Sequence, residues 1–191
     1  MKLLLVRHGE VDWNIEKRLV GQFNISLNEK GVAQAIKVAI ELSKQKLDYI
    51  YCSPLDRTLE TYYQIAKYQK NVSFKVDKRI TAKHHGHLQG VLVSEIEELY
   101  PQYKGIAITN NDAFAPTGGE TKNEARKREY NLKYELDYQV LIIIHMAVIR
   151  IINEYFGNSN KFLVKSYKFP KCTVPEIDVS KRCNYSSLNY Y

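Results

Sequence analysis

Cysteine is scarce in this chain and badly spaced for pairing. The three cysteines, Cys52, Cys172 and Cys183, are odd in number and far apart, and no Cys-x-x-Cys pair occurs. That pattern implies neither a disulfide framework nor a thiolate zinc site, and predicts reduced thiols in a cytoplasmic protein. Long apolar runs are missing too, since nothing approaches the roughly 18 consecutive residues that span a bilayer. Leu3-Leu4-Leu5-Val6 looks briefly like the core of a signal peptide, but Arg7-His8-Gly9-Glu10 ends it with charge. A buried first strand explains it better. No repeat, linker or low-complexity block interrupts the 191 residues. That length suits one domain with a proper core, expected over residues 1–182, followed by a polar, tyrosine-rich and loosely ordered tail over 183–191.

Acidic residues are outnumbered. There are 21 Asp and Glu against 28 Lys and Arg, a formal net charge of +7. Such a balance favours anionic partners in general, whether phosphorylated metabolites, nucleic acid or anionic membrane surfaces, and does not choose among them. With 45% hydrophobic and 26% charged residues, the composition is that of an ordinary globule.

Leu3 to Val6 reads as a strand covered on both faces. Asn28-Glu29-Lys30-Gly31 opens a helix whose apolar residues Val32, Ala35, Ile36, Ala39 and Ile40 fall at helical spacing. Asp48 to Cys52 is a second strand. Ser53-Pro54 predicts a helix start, with Ser53 as N-cap and Pro54 at the first helical position. Val72 to Val76 is a third strand. The stretch from Ala82 to Gly90 is irregular and rich in histidine and glycine. Ser94 and Glu97 form a capping-box pattern for a short helix ending before Pro101. A charged surface helix is expected from about Lys122 to Leu136. Val140 to Ile144 is the most apolar strand, Ala147 to Phe156 the helix after it, and Phe162 to Lys165 a last strand. Strands alternating with helices predict an α/β fold, a three-layer α/β/α sandwich with a mostly parallel central sheet.

Ligands of open parallel sheets bind at the carboxyl ends of the strands. Arg7 and His8 follow the first strand, Arg57 lies in the first turn after Ser53-Pro54, and His145 follows Val140–Ile144. Two arginines and two histidines converging there would grip a compact dianion, because guanidinium forks pair with phosphate oxygens. An imidazole whose one nitrogen is unprotonated, while the other donates to a backbone carbonyl, can attack phosphorus. The remaining cationic groups would stabilise charge on the equatorial oxygens.

Leu5-Val6-Arg7-His8-Gly9-Glu10 resembles the signature of the histidine phosphatase superfamily, also called the phosphoglycerate mutase-like family. Supporting stretches follow in the family's order: Trp13-Asn14, Arg18, Gly21-Gln22, Leu27 to Gly31, Ser53-Pro54-Leu55-x-Arg57, Gly86-x-Leu88-Gln89-Gly90, Gly118 to Thr121, and His145 with Val148-Ile149-Arg150. The resemblance covers about residues 1–155. It implies a metal-independent phosphomonoesterase in which His8 takes up the phosphoryl group of a small phosphorylated metabolite. Arg7, Arg57 and His145 would bind that group, and Asn14, Gly21 and Gln22 would face the substrate.

The sequence also departs from the family. Most members of this branch carry a glutamate, four residues before the Gly-x-x-x-Gly motif, that protonates the leaving oxygen; Ala82 stands there. His84, His85 and His87 are the nearest substitutes, with Glu10 or a water as further options. Val11 replaces a usual Thr or Ser, and Ile144, Met146 and Ala147 replace the small residues that usually flank the second histidine. The alternatives are therefore a non-catalytic phosphate-binding protein on the same fold, or a mutase. The mutase reading suffers because Ala82-Lys83 replaces the Glu-Arg pair that clamps substrate there.

A metal site over His84, His85 and His87 is disfavoured, since they cannot all reach one ion without a particular loop and no carboxylate sits beside them. His8-Gly9-Glu10 shares the His-x-Glu form of zinc deaminases but lacks their Pro-Cys-x-x-Cys partner. Lys122 to Lys133 reads as a solvated helix face rather than a nucleic-acid surface. No metal or cofactor is expected. The expected partner is a small phosphorylated substrate or inorganic phosphate, without nucleic acid or membrane, and the chain is expected to be a monomer or homodimer.

Overall fold

A computed structural model describes residues 2–106, 108, 113–130, 139–156 and 176–178. In chain order the elements are β1 (Lys2–Arg7), α1 (Asp12–Ile15), α2 (Glu29–Leu42), β2 (Tyr49–Cys52), α3 (Asp56–Ala66), β3 (Ser73–Val76), α4 (Ile96–Leu99), α5 (Lys122–Tyr130), β4 (Val140–Ile144), α6 (Met146–Phe156) and β5 (Glu176–Asp178). The strands form one sheet in the order β3-β2-β4-β1-β5. All neighbours are parallel except β5, which runs antiparallel along the edge of β1.

Alternation along β1 and β4 builds two cores. Leu3, Leu5, Val140, Ile142 and Ile144 face α6 through Val148, Ile149 and Ile152. Leu4, Val6, Leu141 and Ile143 face the opposite side, where Val38, Ala39 and Leu42 of α2 and Ile65 of α3 cover them. A central strand buried on both faces has no use for polar residues, which is why Val140–Ile144 is apolar throughout. The result is the α/β/α sandwich with a mostly parallel sheet that the sequence predicts. No helix among the described residues is long and apolar enough to cross a membrane.

Two boundaries differ from expectation. Helix α3 starts at Asp56 with Leu55 as an extended N-cap residue, not at Ser53-Pro54. Ser53 instead finishes the strand, its amide donating to the Ile143 carbonyl at 3.1 Å, so it cannot also open the helix. Ser94 and Glu97 form no capping box either. A 3-10 turn over Val93–Glu95 leads into α4, and the Glu97 carboxylate accepts from the Gly105 amide at 3.1 Å. A true capping box occurs at α5, where Thr121 Oγ1 accepts from the Glu124 amide and Glu124 Oε2 from the Thr121 amide. The rest of the helix expected to Leu136, the strand Phe162 to Lys165, the tail 183–191, Cys172 and Cys183 lie outside the described residues. Cys52 is a buried free thiol, and burial pushes its pKa up to about 12.

The loop leaving β1 lies directly on the first turn of α2. The Asn28 amide donates to the Glu10 carbonyl at 2.9 Å, and Asn28 Oδ1 caps α2 by accepting from the Gly31 amide at 2.8 Å. A Cβ on Gly31 would overlap the Glu10 backbone, and one on Gly9 would overlap the Gly31 carbonyl. Glycine is required here for closeness. Alanine in place of a helical glycine normally stabilises by about 1 kcal/mol. At Gly31 the sign should invert: Gly31→Ala is expected to lower stability by about 1–3 kcal/mol through forced backbone displacement. Urea denaturation reads this directly, and an unchanged or raised midpoint would show that the two segments are not in contact.

Candidate active site

The parallel register of β1 and β4 pairs Arg7 with Ile144, so the residues that follow each strand emerge side by side. The His8 amide donates to the Ile144 carbonyl at 3.0 Å. The rings of His8 and His145 consequently lie 5.2 Å apart between centroids, tilted by 54°. His8 Nδ1 sits 2.6 Å from the Gly9 carbonyl oxygen. A carbonyl only accepts, so Nδ1 carries the proton, and Nε2 of the neutral ring is left with its lone pair.

Arg57 enters from the start of α3 and is 1% exposed. Its Nη2 donates to the Gly21 carbonyl at 2.7 Å and its Nη1 to the Phe23 carbonyl at 2.8 Å. Its Nε is buried with no hydrogen-bond partner among the described residues. Burial, and then repulsion from Arg7, lower its pKa to about 10, which still leaves it charged at neutral pH; nearby Asp56 acts in the opposite direction. His145 is 3% exposed, with Nε2 2.8 Å from Ser53 Oγ and Nδ1 buried without a hydrogen-bond partner among the described residues. Burial first, then Arg57, His8, Arg7 and Arg128, hold its pKa well below the ordinary histidine range. The ring is neutral. Helix α6 starts at Met146, immediately after it. Lys17 and Asn71 are the non-glycine residues with positive φ among those described, so the backbone at Met146 and Ala147 does not need the glycines usual there.

The loop after α1 is tied to this cluster from two sides. Gly21 has φ +53°, and a Cβ on it would overlap the Gln89 carboxamide. Gln89 Oε1 accepts from the Gln22 amide at 2.7 Å, while Gln22 Nε2 donates to the Ala82 carbonyl at 2.8 Å. Gly21 and Gln22 thus bridge Arg57 and the Ala82 segment. Asn14 is less involved: its Oδ1 lies 3.4 Å from the Val11 amide, within its own turn. Val11 is fully buried and belongs to the core rather than to a pocket edge.

Ala82 is buried and presents only a methyl group. Beside it, His84 Nδ1 accepts from the Gly86 amide at 2.9 Å, which leaves any proton of its neutral ring on Nε2. Burial, then Lys83 and His84, pull the His85 pKa down to about 4. The Glu10 carboxylate is 8% exposed as a residue and lies 3.6 Å from Lys30 Nζ and 3.5 Å from Asn28 Nδ2. His87 Nδ1 donates to the Thr117 carbonyl at 3.1 Å, and its ring packs on Tyr100 and Tyr103. The three histidines are therefore held by different partners. Among the described residues no three metal-ligating side chains are grouped to hold an ion.

Three participants were not singled out by the sequence. Ser53 reads there as a helix cap, yet its hydroxyl meets His145. Lys83 enters there only as a replacement within the Glu-Arg pair, yet it is 4% exposed and its Nζ lies 3.4 Å from the Phe114 carbonyl. Arg128 belongs to a helix expected to be a solvated face, yet its Nη1 donates to the carbonyls of Arg79 and Thr81, and its Nη2 to Glu120 Oε1 at 2.8 Å. Glu120 Oε1 also accepts from the His84 amide at 2.8 Å. Arg128 thus fixes the segment that carries Ala82. A lone arginine in Lys-Asn-Glu-Ala-Arg-Lys-Arg-Glu gives no signal of which face is covered.

Comparison with known proteins agrees with this geometry. The profile of the histidine phosphatase superfamily (branch 1) matches residues 3–188. Phosphoserine phosphatase 1 of Hydrogenobacter thermophilus is 44% identical over 161 residues, covering 78% of this chain and 73% of that one. Phosphoglycerate mutase-like protein 4 of Arabidopsis thaliana is 31% identical over 160 residues, covering 80% and 70%. Among solved structures, the complex of a mycobacterial glucosyl-3-phosphoglycerate phosphatase with inorganic phosphate is 26% identical with a TM-score of 0.71, covering 82% of this chain and 79% of that one. With a signature histidine at the end of β1, a second at the end of β4 and a profile match across nearly its whole length, the chain belongs to the histidine phosphatase superfamily, branch 1.

Proposed function

We propose that this chain is a metal-independent phosphomonoesterase that works through a phosphohistidine on His8. The observation that carries the reading is the 2.6 Å contact between His8 Nδ1 and the Gly9 carbonyl, which places the proton on Nδ1 and supports Nε2 as the nucleophile, in a ring whose centroid lies 5.2 Å from that of His145. In the first step the Nε2 lone pair attacks phosphorus and the bond to the leaving oxygen breaks, its electron pair staying on that oxygen, which takes up a proton. In the second step water attacks the phosphohistidine, releasing inorganic phosphate and restoring His8. Arg7, Arg57 and His145 hold the equatorial oxygens, and Gly21, Gln22 and Asn14 face the remainder of the substrate. O-phosphoserine is the first substrate to test, because the relative at 44% identity is a phosphoserine phosphatase.

Ala82 leaves proton delivery to the leaving oxygen weak. Of the nearby groups, His85 is held neutral near pH 7 and has no proton to give readily. Glu10 lies 3.6 Å from Lys30 Nζ and 3.5 Å from Asn28 Nδ2, at the start of α2. His84, with Nε2 carrying the proton, or water remains. General acid catalysis contributes about 100- to 10,000-fold, so turnover is expected to be low while phosphate binding persists. The non-catalytic reading rests on Ala82 and on the altered flanks of His145, Ile144, Met146 and Ala147, and places the rate at zero.

With a panel of phosphomonoesters, the wild type should show slow turnover and an acid-labile phosphoenzyme in rapid-quench experiments, both lost in His8→Ala. Equal, background rates in the two proteins would overturn the enzyme reading. Ala82→Glu should raise kcat by about 100-fold or more; no gain would mean that more than the acid has been lost.

The two depressed histidines also predict an acid sensitivity. His145 and His85 bind fewer protons folded than unfolded at pH values below about 6.5. Stability therefore rises with pH through that window and is lost on acidification. For His85, with a folded pKa of about 4, the loss between pH 7.5 and 5 reaches about 2 kcal/mol. Urea midpoints measured at both pH values should fall on acidification in wild type and fall less in His85→Gln. An equal fall would assign the sensitivity elsewhere.

A further inference from the structure

His145 is held by one hydrogen bond, and that bond decides which of its nitrogens can act. We propose that Ser53 is a positioning residue that locks His145 in the Nδ1–H tautomer, making it a neutral donor aimed at the phosphoryl oxygens. The proposal deepens the phosphatase reading and rests on it only for the identity of the anion.

Ser53 is fully buried, and its Oγ lies 2.8 Å from His145 Nε2. Two proton arrangements fit that distance. If Nε2–H donates to the hydroxyl, the serine proton needs another acceptor, and Ser53 Oγ makes no other hydrogen bond among the described residues. Nδ1 would then present a lone pair to any bound phosphate, which is repulsive. If the hydroxyl donates to Nε2, its proton is satisfied and Nδ1 becomes an N–H. A buried donor without a partner is costly to leave unmade, and an arriving anion removes that cost. Nδ1 is such a donor: buried, without a partner among the described residues, and next to Arg57, whose Nε is in the same condition. Arg57 is also the charged group that acts most strongly on His145. Both donors are fixed before the anion arrives, which is the arrangement that stabilises developing charge without reorganisation.

The backbone explains why serine can do this. Ser53 stands one residue beyond β2, its amide is paired with the Ile143 carbonyl at 3.1 Å, and its own carbonyl accepts from Thr58 Oγ1 at 2.8 Å. The residue is anchored at both ends between β4 and α3, leaving only the hydroxyl rotor free. A neutral donor also suits a cluster already rich in positive charge, because a third cation beside Arg7 and Arg57 would be repelled.

The test reads the tautomer directly. Two-bond proton–nitrogen correlation spectra of the 15N-labelled protein at pH 7 should show His145 protonated on Nδ1. An Nε2–H tautomer or an imidazolium overturns the proposal whatever the activity. In Ser53→Ala the Nδ1–H preference should be lost and inorganic phosphate should bind about 10-fold more weakly by calorimetry, with circular dichroism and a urea midpoint confirming the fold. Ser53→Thr, which keeps the hydroxyl, should retain the wild-type tautomer. An unchanged tautomer in Ser53→Ala refutes the role of the serine. If the wild type shows Nδ1–H but binds no phosphate, the tautomer lock stands and the phosphatase reading falls.

Discussion

The hydrogen bond from the His8 amide to the Ile144 carbonyl is the point on which the site depends. It extends the β1–β4 ladder one residue past Arg7 and Ile144, so the two histidines leave the sheet together. A slip of one residue would turn every side chain of β1 to the other face, exchanging the two cores and moving His8 away from His145. The apolar packing of Leu3, Leu5, Ile142 and Ile144 against α6 forbids that slip. Burial far from the chemistry thus sets a distance within it.

The second constraint is electrostatic. Arg57 is almost wholly buried, and among the described residues its guanidinium donates to two carbonyl oxygens rather than to a carboxylate. A buried charge without a counter-ion is costly. Here the cost shows as an Arg57 pKa drawn down by burial and Arg7, and as a His145 held neutral by its neighbours. A dianion placed among these groups reverses each of those effects. A compact anion would offset the burial of both groups at once, which favours the proposed phosphate ligand over a neutral one.

Much of this was legible in the sequence, and the exceptions have physical causes. Periodicity found β1, β4 and α6 because their burial is one-sided or complete and leaves a regular pattern; it found α2 as a helix but misplaced part of its buried face, since Ile36 and Ile40 are exposed while Val38 and Leu42 are buried. Motif order found His8, Arg57 and His145. Ser53-Pro54 was misread because a serine before proline carries the same local signal whether its hydroxyl caps a helix or reaches across to a residue 92 positions away. Ser94 and Glu97 had cap spacing, but a longer-range partner, the Gly105 amide, took the glutamate. Arg128 was invisible for the opposite reason. Its helix is charged on all sides, so only the tertiary contacts with Arg79, Thr81 and Glu120 distinguish it from Arg126, which bonds within its own turn. Local signals fail where a polar side chain has a distant alternative.

Anion grip and proton delivery come from separate parts of the chain. The grip is built from strand ends and the start of α3, all anchored in the sheet. The acid position lies in an irregular segment held by Gln22, Arg128 and Glu120. Substituting Ala82 therefore leaves the groups that bind phosphate untouched, because none of their hydrogen bonds passes through its side chain. The segment is pinned through its backbone, with the Ala82 and Thr81 carbonyls and the His84 amide engaged by half-buried Gln22, Arg128 and Glu120. Gly86 is held at φ +52° against Thr117 and Gly119, a contact that a Cβ at this position would not allow. The segment that carries Ala82 is thus held by other side chains than the groups that engage Arg57 and His145, so a change of side chain at position 82 reaches neither of them through a hydrogen bond.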